Sequence, residues 1–230
     1  DRVDKGPARA YLGKLPITDN YVGAFQIEQQ IKLRQPDGSL YPDRDDYLSK
    51  PQGAAVPDLE SIRFNPFNHG FRYTSEGDRS LGLSPFIRDA KADGDYLDEL
   101  PIPEAFKFHA DQAKEGFYDN LALEGSSFTP DASYYFTAME APLIQDGAPP
   151  SLTYGADARI TQYDQQGHLV GQYVYPIDAL PAKPGLGKHA DNGIAEILAL
   201  DEKHLIVLER AGIQDAQGHY HNYIRLYQAD

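Results

Sequence analysis

The chain has 230 residues, 41% hydrophobic and 11% aromatic, enough apolar material for one sizeable core. A formal net charge of −14 disfavours nucleic acid and anionic membranes as direct partners and favours divalent cations. With no cysteine, disulfides, thiol catalysis and thiolate metal sites are excluded, and no apolar run approaches the roughly eighteen residues of a membrane span.

Tyrosine (16) outnumbers phenylalanine (10), and 20 glycines and 17 prolines punctuate the chain every few residues. That spacing suits many short strands and tight turns, so the expected class is all-β. The opening Asp1-Arg2 reads like the close of a second hairpin strand, as Glu209-Arg210 does later, so the chain is expected to be a segment that begins inside a repeat, with any signal sequence outside it. Residues 23–33 alternate with period two and slip at Gln29-Gln30, predicting a strand with a bulge. Residues 41–56 are polar and proline-rich and read as a loop. A hairpin follows over 58–77, then short strands at 84–88 and 96–101. Residues 103–116 alone have helical composition, a short helical insertion in a single domain spanning 1–230. A second hairpin covers 121–140, strands are expected at 158–163 and 168–176, a third hairpin begins at Gly193, and 220–227 supplies a last strand.

The three hairpins share a glutamate pattern. Glu60 and Glu76 are sixteen positions apart, as are Glu124 and Glu140, while Glu196 and Glu209 are thirteen apart. The first glutamates of the pairs lie 64 and 72 residues from one another, and recurrence of a four-stranded β unit is the signature of a propeller, here about three blades and part of a fourth. In antiparallel hairpins, residues at the start of one strand and the end of the next return to the same edge. Six carboxylates converging on one mouth would raise one another's pKa unless cations sit among them, and Ca2+, a hard ion that takes six to eight oxygens, fits such a set. The competing reading is that these glutamates are solvated or pair with Arg63, Arg72, Arg79 or Arg210. Beside such a mouth, Arg72, Arg79 and Arg210 are candidate anchors for an oxyanion. His189, next to Asp191 and Asn192, is the one histidine expected near it.

Familiar motifs fail on inspection. Asn68-His-Gly-Phe-Arg72 has the His-Gly-x-Arg core of histidine acid phosphatases without its flanks, and Asp93-Gly94-Asp95 sits in an EF-hand-like loop that lacks the closing glutamate. Glu124-Gly-Ser-Ser is no nucleophile elbow, which leaves ester chemistry at Ser126 or Ser127 a distant third option.

Asp58-Leu-Glu-Ser-Ile-Arg, Leu123-Glu-Gly-Ser-Ser-Phe-Thr-Pro-Asp, Met139-Glu-Ala-Pro-Leu-Ile-Gln-Asp-Gly, Gly193-Ile-Ala-Glu-Ile-Leu and Leu205-Ile-Val-Leu-Glu-Arg together resemble the phytase-like, "esterase-like activity of phytase" family across nearly the whole chain. The resemblance implies a β-propeller, six-bladed when complete, from mostly bacterial and often exported proteins, hence periplasmic or secreted. By analogy with alkaline propeller phytases it also implies calcium and hydrolysis of phosphomonoesters. It carries over Glu60, Glu76, Glu124, Glu140, Glu196 and Glu209 as metal-site positions. Two functions follow as expectations. One is a calcium-dependent phosphoric ester hydrolase, with Glu124, Glu140, Arg72, Arg79 and Arg210 at the reacting centre and a small phosphate ester or other anion held through calcium. The other is a non-catalytic, calcium-stabilised propeller that binds a carbohydrate or a protein in the cell envelope.

Overall fold

A computed structural model describes residues 7–49, 54–111 and 114–230. Asp1-Arg2, read above as a strand end, lies outside them. The strands are β1 (Arg9–Lys14), β2 (Ile17–Thr18), β3 (Tyr21–Val22), β4 (Gln26–Lys32), β5 (Leu59–Asn65), β6 (Gly70–Ser75), β7 (Phe86–Ala90), β8 (Tyr96–Leu100), β9 (Leu123–Phe128), β10 (Tyr134–Met139), β11 (Ala156–Asp164), β12 (Leu169–Ile177), β13 (Ala190–Ala199), β14 (Leu205–Gln214) and β15 (Tyr220–Ala229). A short helix, α1 (Arg44–Ser49), stands in the stretch expected to be loop. Asp43 caps it by accepting from the Asp46 N–H at 2.9 Å, and Tyr47 anchors it by burial.

The fold is all-β. Each sheet is antiparallel and strand order follows chain order: β5-β6-β7-β8, then β9-β10-β11-β12, then the three-stranded β13-β14-β15, preceded by the ribbons β1-β4 and β2-β3. Period-two patterning explains the packing. The second and third sheets bury Phe136, Ala158, Ile160, Ile194, Ile197 and Val207 between them, and the first and second bury Ile87, Leu123, Tyr135, Met139 and Tyr163. A third cluster joins β4 to the first sheet through Ile31, Leu33, Tyr41, Phe71 and Tyr73. Pro176 is accommodated because β12 is an edge strand, where its missing N–H breaks no interior ladder. The bulge foreseen in β4 falls on Glu28, the extra residue between Leu12↔Gln29 and Gly13↔Ile27.

Over 103–116 the described residues hold one 3-10 turn, Glu104–Phe106, rather than a longer helix. Its reason is tertiary. Phe106 and Phe117 are drawn into the core between the first two sheets, which pins the segment at both ends.

The first strands of the three sheets lie side by side, β9 against β5 and against β13. Small residues make that approach close. Ser61 Oγ and Ser126 Oγ are 2.5 Å apart, Ser127 Oγ accepts from the Ala199 N–H at 3.0 Å, and a Cβ on Gly125 would come within 2.8 Å of the Ile197 nitrogen.

Candidate metal centre

The first hairpins of the three sheets carry the same bulge. In the first, Leu59 pairs with Ser75 and Ile62 with Tyr73, so Glu60 and Ser61 together face Thr74. In the second, Leu123 pairs with Met139 and Ser126 with Thr137, so Glu124 and Gly125 face Ala138. In the third, Ile194 pairs with Glu209 and Ile197 with Val207, so Ala195 and Glu196 face Leu208. A bulge bends its strand and re-aims the extra side chain. Glu60 and Glu124 occupy that re-aimed position, and Glu76 and Glu140 each follow the last residue of the returning strand. Their backbones are tied alike: the Glu76 N–H donates to the Asp58 carbonyl at 3.0 Å and the Glu140 N–H to the Ala122 carbonyl at 2.7 Å.

Four of the predicted glutamates therefore meet. Carboxylate oxygens of Asp58, Glu60 and Glu76 lie within 4.8 Å of one another, as do those of Glu76, Glu124 and Glu140, so Glu76 belongs to both triads. Glu76 is 1% exposed, and one of its oxygens accepts the Ala122 N–H at 2.7 Å, linking the first hairpin to the second. Asp58 was not anticipated. The signal was present, since Asp58 and Glu60 are two apart in an extended segment and so share a face.

The electrostatics follow from five acidic side chains in one buried place. Burial, then the charges of Glu140, Glu60 and Glu76, push the Glu124 carboxyl up to about 9 against the opposing pull of Arg210. Burial and Glu76 lift Glu140 to about 8, again opposed by Arg210. Glu60 is raised by burial and by Asp58. The Glu124 and Glu140 carboxyls hold protons at neutral pH or take a cation, and clustered hard donors of this kind suit a divalent ion.

The third hairpin differs by one position. Register places Ala195 where the others have Glu60 and Glu124, and Arg210 where they have Glu76 and Glu140. The two glutamates expected there have other partners. Glu196 forms an ion pair with Arg63 of β5 and accepts from the backbone N–H of Ser126 at 3.2 Å and of Ile197 at 2.9 Å. Glu209 is 1% exposed on the core face, accepting from Tyr175 Oη at 2.9 Å, Asn192 Nδ2 at 2.8 Å and the Asp178 N–H at 3.2 Å.

The arginines separate as well. Arg72 is buried in a bidentate pair with Asp89 (2.7 and 2.8 Å), its guanidinium over the rings of Phe128 and Tyr135. Arg79 donates to the carbonyls of Glu115 and Phe117 at 3.0 and 2.9 Å. Arg210 is exposed, beside the carboxylates. His189 bonds Asp191 at 2.6 Å, and the Asp191 charge reaches Glu140. Ser126 and Ser127 are buried and bonded to Ser61, to the Phe128 carbonyl and to the Ala199 N–H, which removes them as candidate nucleophiles.

Among the described residues no helix is long and apolar enough to cross a membrane. The model of a protein family described as phytase-like, "esterase-like activity of phytase", matches residues 1–230. Comparison with curated proteins finds no match.

Proposed function

The chain belongs to the phytase-like family, and from that premise we propose that it hydrolyses phosphoric monoesters with a divalent cation, calcium by preference, held by Glu60, Glu76, Glu124 and Glu140 together with Asp58. The observation that carries the reading is the pair of carboxylate triads sharing Glu76, built from residues of two different hairpins. The donor set fits the ion: all ligands are oxygens, and burial makes their unneutralised charge costly.

In this reading the three sheets are successive blades of a β-propeller with β5, β9 and β13 innermost, and the triads lie at the mouth of its channel. The side-by-side packing of those strands supports it. A cation bound there supplies neutralisation of phosphoryl charge and a water of lowered pKa. The chain's own part is positional. The two bulges aim Glu60 and Glu124, the Ala122 N–H fixes one Glu76 oxygen, and the serine ties hold the hairpins at a constant separation. A periplasmic or secreted location accords with the family resemblance.

The test is calorimetric titration of the chelator-stripped chain with calcium, repeated on Glu124→Gln/Glu140→Gln, beside hydrolysis of a chromogenic phosphomonoester. Saturable binding and turnover, both lost in the double variant, are expected. A folded wild-type chain that binds no divalent cation refutes the reading.

A further inference from the structure

The third hairpin repeats the bulge of the other two but sets a guanidinium where they set carboxylates, and this asymmetry bears on what the centre recognises. Arg210 pairs across the sheet with Gly193, and cross-strand partners project to the same face. A Cβ on Gly193 would lie 2.6 Å from Glu140 Cγ and 3.3 Å from its Oε1, so Arg210 leaves the sheet on the side where the Glu140 carboxylate lies. The neighbouring Glu209 points the other way, into the core, because successive strand residues alternate faces.

The other arginines near the inner strands are engaged: Arg63 with Glu196, Arg72 with Asp89 and Arg79 with backbone carbonyls. Arg210 makes no side-chain hydrogen bond or ion pair with the described residues, although its charge acts on both Glu124 and Glu140. A guanidinium meant only to neutralise Glu140 would be seated on it, as Arg72 is on Asp89.

We propose that Arg210 is the anion-anchoring residue of the centre, taking two oxygens of a dianionic phosphoryl group whose remaining charge is met by the cation on the first two hairpins. The inference rests on the proposed function and adds its selectivity. A phosphomonoester dianion has oxygens for both partners, whereas a diester has one non-bridging oxygen fewer and a carboxylic ester offers no charge to Arg210.

The role predicts two effects of opposite sign. Arg210→Gln removes a cation beside the metal ligands, so calcium binds more tightly, by about threefold. It also removes the anchor, so phenylphosphonate, a dianion that cannot be hydrolysed, binds the calcium-loaded chain on the order of tenfold more weakly. The monoanionic methyl ester of phenylphosphonate loses less, and Arg210→Lys restores charge without the planar fork and recovers part of the loss. Both affinities are read by calorimetry at saturating calcium, with the thermal midpoint of each variant as the folding control. Tighter calcium with unchanged phenylphosphonate affinity overturns the anchor and leaves the hydrolase reading intact. Failure of wild type to bind calcium brings down the hydrolase reading itself, a different result from the same titration.

Discussion

The β9-β10 and β13-β14 hairpins have the same bulge and opposite chemistry. Glu124 and Glu140 converge on a shared centre, whereas the same register positions of the third sheet carry Ala195 and Arg210, a methyl group and a guanidinium. The glutamates of the third hairpin stand one residue away, and in a strand that step changes the face. Glu209 consequently became a core acceptor with three donors, and Glu196 a tie to Arg63. Acidic residues in similar sequence surroundings can thus meet in a carboxylate cluster in one unit and serve as scaffold in the next, with backbone register deciding between them.

The contrast can be broken most completely at the second hairpin. Glu124→Gln/Glu140→Gln is expected to reduce divalent cation affinity at least a hundredfold in calorimetry, while Glu196→Gln leaves it unchanged. Stability shows the reverse asymmetry. Glu209→Ala strands the Tyr175 hydroxyl and the Asp178 N–H and leaves Asn192 Nδ2 only the Asp178 carbonyl, and should cost about 3 kcal/mol in urea unfolding with the metal stoichiometry intact. Gly193→Ala brings a methyl against Glu140 Cγ and the Glu140 carbonyl and should cost about 1–3 kcal/mol, with weaker cation binding as Glu140 shifts.

Protons sharpen the same comparison. Glu124 and Glu140 titrate near 9 and 8 in the folded chain, far above the unfolded range, so the metal-free folded state binds more protons than the unfolded one at intermediate pH. Its stability is expected to fall as pH rises from about 4.5 towards 9, with a midpoint loss on the order of 5 °C that calcium reverses in thermal scans. Calcium affinity should climb over the same window, because the ion displaces those protons. The smallest effect belongs to Glu196→Gln, whose partly exposed pair with Arg63 is worth less than about 1 kcal/mol.

Much of this was legible in the residues. Alternation and glycine–proline punctuation located the strands from β5 to β15, and the sixteen-residue spacing paired Glu60 with Glu76 and Glu124 with Glu140. The third pair was misaligned because acidic residues were matched with each other. Matching the apolar residues Leu59, Leu123 and Ile194 aligns Ala195 with Glu60 and Glu124, and the strand register then sets Arg210 at the position of Glu76 and Glu140. The fates of Arg72 and Arg79 depend on Asp89 and on the backbone of the 103–117 segment, contacts set by tertiary packing. The helical composition of 103–116 was overridden in the same way, by Phe106 and Phe117 entering the core. β1 to β3 escaped notice because Arg9–Lys14 has no clean alternation, and the ribbon they build is largely exposed.

Glu76 sits in both triads, and its place there governs how the centre fills. In the proposed reading, a cation drawn to Asp58, Glu60 and Glu76 would take up negative charge that Glu124 and Glu140 could otherwise offer a second ion, so a second ion is expected to bind with negative cooperativity. Because one Glu76 oxygen is held by the Ala122 N–H, such an ion would also fasten the first sheet to the second. A two-step isotherm is the expected form, its tighter step accompanied by the larger gain in thermal stability.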